Sequence, residues 1–148
     1  MSAGMIIREA VRDDLAPLLK LYTHLHEDNA EVTGNMIKSW EAILSDTDHH
    51  MIVCEADGMI VSSCVCLIVP NLTRGARPYA LIENVVTHED HRRCGYASAC
   101  LKYAVELAND AGCYKIMLLT GAKDEGTLGF YRKAGFNCED KTAFIRWM

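Results

Sequence analysis

Leu15, Leu18, Leu19, Tyr22 and Leu25 recur at the spacing of one helix face, behind Asp13 and Asp14, which suit the positive end of a helix. A first helix is therefore predicted to run to about His26. Ahead of it, Met5 to Val11 reads as a short strand. Ile37, Trp40, Ile43 and Leu44 predict a second helix over Asn35 to Leu44. Between the two helices, His24 to Glu31 is polar and poorly periodic, as expected of a mobile segment facing a ligand.

The pattern then changes from helical to extended. Met51 to Ala56 and Met59 to Val69 read as strands joined at Asp57-Gly58, a hairpin signal. A loop from Pro70 to Pro78 leads into a strand over Tyr79 to Thr87. Ala97, Cys100, Leu101, Ala104, Ala108 and Ala111 make one apolar helix face, and Gly112 stands where a helix end favours glycine. Tyr114 to Leu119 is almost wholly apolar, as in a strand buried on both faces. Residues 79–119 thus read as a parallel βαβ unit. Asp124 to Ala134 is a short helix stopped by Gly135, and Phe136 to Trp147 supplies one or two closing strands. The order β-α-α-β-β-β-α-β-α-β(-β) predicts a single α/β domain over residues 1–148. Its mixed sheet has six to seven strands and about four flanking helices.

One turn carries chemistry. Arg92-Arg93-Cys94-Gly95-Tyr96-Ala97 is an Arg-x-x-Gly-x-Ala sequence between the strand over 79–87 and the following helix. Such a turn leaves backbone N–H groups free at the positive end of the helix dipole, where a pyrophosphate fits. Gly95 admits close backbone approach. Arg92 and Arg93 add positive charge at the rim. The turn has neither the three glycines of a dinucleotide fingerprint nor the Gly-Lys-Ser/Thr of a Walker loop.

Composition narrows the reading. At 148 residues and 50% hydrophobic, the chain can fill a core without staples. A net charge of −5 argues against nucleic-acid binding, which relies on a basic face. The seven cysteines contain no Cys-x-x-Cys pair, so free thiols are expected and no metal. No apolar run approaches the roughly 20 residues of a membrane span, and the first residues lack a secretory pattern, so a cytoplasmic protein is expected.

Three features taken together resemble the GCN5-related N-acetyltransferase (GNAT) superfamily: Val85-Val86-Thr87 followed by Arg92-x-x-Gly95-x-Ala97, the spacing of the βαβ unit, and Phe130-Tyr131-Arg132-Lys133-Ala134-Gly135-Phe136. The resemblance covers nearly the whole chain. It implies acetyl-CoA as acyl donor and a splayed gap between the strands ending near Thr87 and Leu119. Pantetheine would lie in that gap along Val85, Val86 and Thr87, with the pyrophosphate on Arg93, Cys94, Gly95, Tyr96, Ala97 and Ser98. The sequence departs from the family pattern at Asp124, where Asn is frequent near the cofactor; an N-cap is the other reading of Asp124.

The resemblance further implies direct attack of a primary amine on the thioester. Amines near pKa ~10 need a base to remove a proton. Glu83 is the first candidate, expected to face the same cleft as Val85; pairing with Arg74 or Arg77 is its alternative. His24, His26 and His88 are weaker candidates. Tyr131 holds the family position for the acid that protonates the leaving thiolate, against a hydroxyl merely bonded at the core edge. The expected acceptor is a small-molecule amine. An amino-sugar phosphate met by Arg74 and Arg77 is one option within that class. A protein or peptide acceptor, or a non-catalytic acyl-CoA sensor, are the alternatives. A homodimer through the strand near the C-terminus or the helices is compatible with this reading.

Overall fold

Burial on both faces of the central strands decides the layering. In β2 (His49–Ala56), Met51 and Val53 face one side of the sheet while Ile52 and Cys54 face the other, and all four are buried. β3 (Met59–Val69) is also buried on both faces, with Val61, Cys64 and Cys66 on one side and Ile60 and Val65 on the other across a register shift at Val61, so both faces of the sheet must be covered. The computed structural model describes residues 4–25 and 30–148. Its other strands are β1 (Ile6–Glu9), β4 (Tyr79–Thr87) and β5 (Ile116–Leu118). They form one sheet in the order β1-β2-β3-β4-β5, antiparallel except for the parallel β4–β5 pair.

Helices α1 (Leu15–Tyr22) and α2 (Gly34–Ser45) cover one face, where Leu18, Leu21 and Trp40 meet Met51, Val53, Val65 and Val86. After α3 (Thr73–Ala76), a single irregular turn, α4 (Tyr96–Asp110) covers the other face. Its Cys100, Leu101, Ala104 and Ala108 lie over Cys64, Cys66, Ala80 and Ile82. Small residues at this contact bring helix and sheet close, with the Cys64 Sγ 3.7 Å from the Cys100 carbonyl and the Cys66 Sγ 3.9 Å from that of Ala104. α5 (Glu125–Lys133) packs partly against the same face through Phe130, Tyr131 and the following Ala134.

The predicted α/β class, the hairpin and the βαβ unit agree with this architecture. Asp57 and Gly58 take φ of 52° and 75°, the positive pair a two-residue hairpin turn requires. Gly112 ends α4 at φ 78°. The sheet, however, has five strands rather than six or seven. Residues 137–148 form no strand, and the strand expected over 114–119 is paired only at residues 116–118. Its side chains are half-buried rather than enclosed, because nothing lies along its outer edge among the described residues. The first helix ends at Tyr22, and His26 lies outside the described residues. Among the described residues, no helix is long and apolar enough to cross a membrane.

A bidentate ion pair ties β1 to the start of α1. Arg8 donates from Nη1 and Nη2 to the Asp14 carboxylate at 2.6 and 3.1 Å, and from Nη2 to Glu55 on β2 at 3.2 Å. The buried Asp14 also accepts the Val11 N–H at 2.7 Å. The bond from Arg8 lowers the Asp14 pKa against the opposing effect of burial. Asp14→Ala is therefore expected to cost about 1–3 kcal/mol of unfolding free energy near neutral pH. A depressed carboxylate stabilises the fold above its unfolded pKa and loses that contribution as pH falls through the folded one. Urea titrations of wild type and variant should accordingly converge in acid, and a gap that persists there would contradict this role.

Candidate functional site

Between β4 and α4 the backbone is bent by residues in uncommon conformations. Arg93 takes φ 62° and Gly95, the N-cap of α4, takes φ 84°, a region that favours glycine. A Cβ at Gly95 would meet no atom within 4 Å, so the turn is open on its outer side. The first bond into the helix here runs from the Ala99 N–H to the Gly95 carbonyl. Among the described residues the N–H groups of residues 93–98 meet no acceptor, and no side chain caps the helix. Six unpaired donors at the positive end of a 15-residue helix make an anion cradle.

The side chains of this turn divide their work. Arg92 clamps it, donating from Nε to the Thr87 carbonyl and from Nη2 to the His24 carbonyl, both at 3.4 Å. Arg93 and Ser98 are exposed, and Ala97 is half-buried. The exposed Cys94 directs its Sγ at the Arg92 carbonyl, 3.4 Å away. Tyr96 is buried in the core under α4, so it offers the cradle its N–H rather than its ring. The His24 and His88 rings are in contact, tilted by 40° with centroids 4.1 Å apart, and each accepts a backbone N–H near the 3-10 turn over residues 89–91. These bonds make them parts of the turn's frame.

β4 and β5 pair only through Ala80, Ile82 and the Leu81 between them, opposite residues 116–118. Beyond Ile82, β4 runs on to Thr87 with its β5 side unpaired, while its other side stays on β3 up to the Ser62–Thr87 pair. Buried Ser62 fixes that end, donating to the Val86 carbonyl at 2.9 Å and lying 2.9 Å from the Thr87 Oγ1. The resulting gap opens onto the cradle and exposes the free edge of Val85, Val86 and Thr87.

Asn84 reorganises this segment. Ser63 pairs with Val86 and Val65 with Glu83, so Asn84 and Val85 together oppose Cys64. This is a β-bulge with Asn84 at φ 52°, a conformation asparagine tolerates. The extra residue inverts the facing of the positions after it. Val85 packs on the α4 side, whereas Glu83 lines a cavity on the α1–α2 side. The expectation that Glu83 and Val85 face the same way is thus corrected. Glu83 also forms no ion pair among the described residues: Arg77 donates to the Gly112 and Cys113 carbonyls, and Arg74 lies over the Tyr114 ring at 5.4 Å. Both arginines are away from that cavity.

The cavity measures about 450 Å³. Leu18, Tyr22, Trp40, Met51 and Leu81 contribute to a largely apolar wall, and Glu83, Asn84 and His49 are among its polar lining residues. No Lys or Arg is among the lining residues.

On the opposite face, Tyr131 stands edge-on to Phe130 at 5.1 Å and to Phe136 at 6.5 Å between ring centroids. Its hydroxyl has no hydrogen-bond partner among the described residues, and it is not sealed from solvent. Partial burial raises its pKa, which keeps the phenol protonated at neutral pH. Asp124 is the N-cap of α5, accepting the Thr127 N–H at 2.8 Å, so its carboxylate is committed to that helix. Burial pushes the Cys64 thiol up to about 12 and the Cys66 thiol up to about 11, which leaves neither a ready nucleophile.

The sequence pattern assigns Tyr22 and Trp40 to helix faces and Asn84 to a strand, and marks none of them as a site residue. An Asn inside a β-branched run was the available signal for the bulge. The cavity walls carried none, because Tyr22 and Trp40 fit a helix core equally well.

The acetyltransferase (GNAT) family model matches residues 9–136. The glucosamine 6-phosphate N-acetyltransferase of Trypanosoma brucei brucei is 36% identical over 84 residues, 57% of this chain and 55% of that protein. An uncharacterized N-acetyltransferase of Methanocaldococcus jannaschii is 26% identical over 148 residues, 96% of this chain and 64% of that protein. The chain therefore spans less than two thirds of the length of either relative. A solved structure of a putative acetyltransferase from Agrobacterium tumefaciens str. C58 is 41% identical with a TM-score of 0.90, covering 97% of this chain and 99% of that one. The free-amide turn, the parted strands and the Phe130–Phe136 segment all lie within the matched span, and the chain belongs to the acetyltransferase (GNAT) family.

Proposed function

We propose that this chain transfers an acetyl group from acetyl-CoA to a primary amine of a small molecule, by direct attack within a ternary complex. The parting of β4 from β5 beside six unpaired N–H groups carries the reading. Residues 93–98 suit a pyrophosphate, to which each N–H bond contributes about 1.5–3 kcal/mol. The free edge of Val85 to Thr87 suits the amides of a pantetheine arm. Bound there, acetyl-CoA supplies the acyl thioester that the amine attacks.

The chain's own residues then divide the proton work. Glu83 attracts an ammonium group in the cavity and takes a proton from it. Tyr131, protonated through neutral pH, holds a proton for the departing sulfur. Cys64 and Cys66, their pKa values raised by burial, are poor nucleophiles, which agrees with direct attack rather than an acyl-enzyme on either thiol.

The cavity also indicates the acceptor. A carboxylate in a largely apolar lining favours an amine carried on an aliphatic or aromatic body. The Trypanosoma relative's name points to an amino-sugar phosphate, but the residues lining this cavity include no Lys or Arg, and His49 is their one basic side chain.

Thiol release with acetyl-CoA should be at least about tenfold greater in kcat/KM for an arylalkylamine than for glucosamine 6-phosphate, a difference of about 1.4 kcal/mol. The reverse order would remove the apolar-acceptor reading. Acetyl-CoA binding in calorimetry with no thiol release across a broad amine panel would favour a sensor.

Glu83→Gln should lower kcat by about 10²–10⁴-fold and leave the affinity for acetyl-CoA nearly unchanged. An unchanged rate would exclude Glu83 as the base.

Tyr131→Phe should lower turnover more than cofactor affinity. An acid must be protonated to act, so the wild-type rate should fall at alkaline pH, above the ordinary tyrosine range, and this limb should vanish in the variant. A limb that survives in the variant would assign the proton to another group.

A further inference from the structure

Sheet register orders the side chains on the floor of the cavity beneath α1 and α2. His49 pairs with Leu67 and Leu67 with Leu81, and in the next row Met51 pairs with Val65 and Val65 with Glu83. All six line the cavity. Its floor therefore runs from an imidazole and a thioether on β2, over two aliphatic residues on β3, to a leucine and a carboxylate on β4. β2 and β4 lie two strand spacings apart, about 9–10 Å.

Tyr22 reaches the β2 end from α1. Its hydroxyl donates to the Met51 Sδ at 3.5 Å, its one hydrogen bond among the described residues. A thioether is a weak acceptor, so this phenol, set in a largely apolar wall, is poorly satisfied. Burial pushes its pKa up to about 12, so at neutral pH it keeps the proton it can donate.

His49 stands two residues from Met51 on the same face of β2 and is half-buried. Its ring forms no hydrogen bond or ion pair among the described residues, whereas His50, on the opposite face, pairs with Glu9. In a neutral imidazole one ring nitrogen accepts and the other donates. A donor and an acceptor, both lacking a good partner, thus meet the cavity on the side away from Glu83.

We propose that Tyr22 and His49 select the acceptor by its far end: the amine that Glu83 receives is carried on an apolar body that ends in a hydroxyl group. The body lies over Val65 and Leu67. The hydroxyl oxygen accepts the Tyr22 O–H and gives its own proton to a bond with His49. A neutral hydroxyl suits this end better than a carboxylate or phosphate, because no Lys or Arg lines the cavity to offset a desolvated anion. An acceptor without the hydroxyl leaves both side chains unpaired, and that is the source of the discrimination. The selection rests on the acetyl-transfer reading, in which Glu83 meets the amine.

Two amines of nearly equal shape separate the far end from the body: phenethylamine bearing a para-hydroxyl and phenethylamine bearing a para-methyl. With acetyl-CoA, thiol release should favour the hydroxyl compound by at least about tenfold in kcat/KM. Tyr22→Phe removes the donor and His49→Phe the acceptor, and each should cut that preference at least about threefold. A merely structural loss would slow both amines alike and leave the ratio where it was. The wild-type ratio decides by itself if a variant fails to fold. Equal rates, or a preference for the methyl compound, overturn the selection, while thiol release from either amine upholds acetyl transfer. A preference that survives in both variants also overturns it, because other residues then read the hydroxyl. If neither these amines nor any others release thiol, the acetyl-transfer reading falls and the selection falls with it.

Discussion

Everything that makes this molecule a candidate catalyst depends on strand β4 keeping one neighbour while losing the other. Up to Ile82 it is paired on both sides, and from there to Thr87 only β3 holds it. A half-paired strand inside a sheet is costly unless something fixes it, and here Ser62 does so from below through Val86 and Thr87. The unpaired side becomes an edge in the middle of the molecule rather than at its border. Because the chain turns straight from that edge into α4, the strand's free groups and the helix's free N–H groups converge on one gap.

The Asn84 bulge gives the same strand a second function. Without the additional residue, Glu83 and Val85 would share a face, and the carboxylate and the cofactor edge would compete for one side of the sheet. With it, Glu83 looks into the apolar cavity beneath α1 and α2 while Val85 stays under α4. The two halves of the proposed reaction thus approach the same short stretch of backbone from different sides. Tyr131 completes the arrangement from α5 with a raised pKa and an uncommitted hydroxyl.

Much of this was legible in the sequence, for identifiable reasons. Arg92 to Ala97 revealed the cradle because glycine at a strand-to-helix junction has few other uses, and Asp57-Gly58 revealed the hairpin through its required positive φ. The facing of Glu83 was misread because period-two counting cannot see a bulge. The strands expected beyond Phe136 are absent, because a pattern such as Ala143, Ile145 and Trp147 states that a segment is fit to pair, not which edge it meets. Asp124 went to its cap, a local bond that its extended backbone at the N-cap of α5 makes available. The cavity lined by Glu83 was hidden because its walls are the ordinary residues of a helix–sheet core.

The central claim is that the backbone amides from Arg93 to Ser98 grip a diphosphate beside the open edge of β4. Amide exchange of the chain, measured with and without saturating coenzyme A, tests it most directly. The account predicts that added coenzyme A selectively slows exchange across residues 85–87 and 93–98. Bound coenzyme A that leaves these amides unchanged, or protects others in their place, would contradict it.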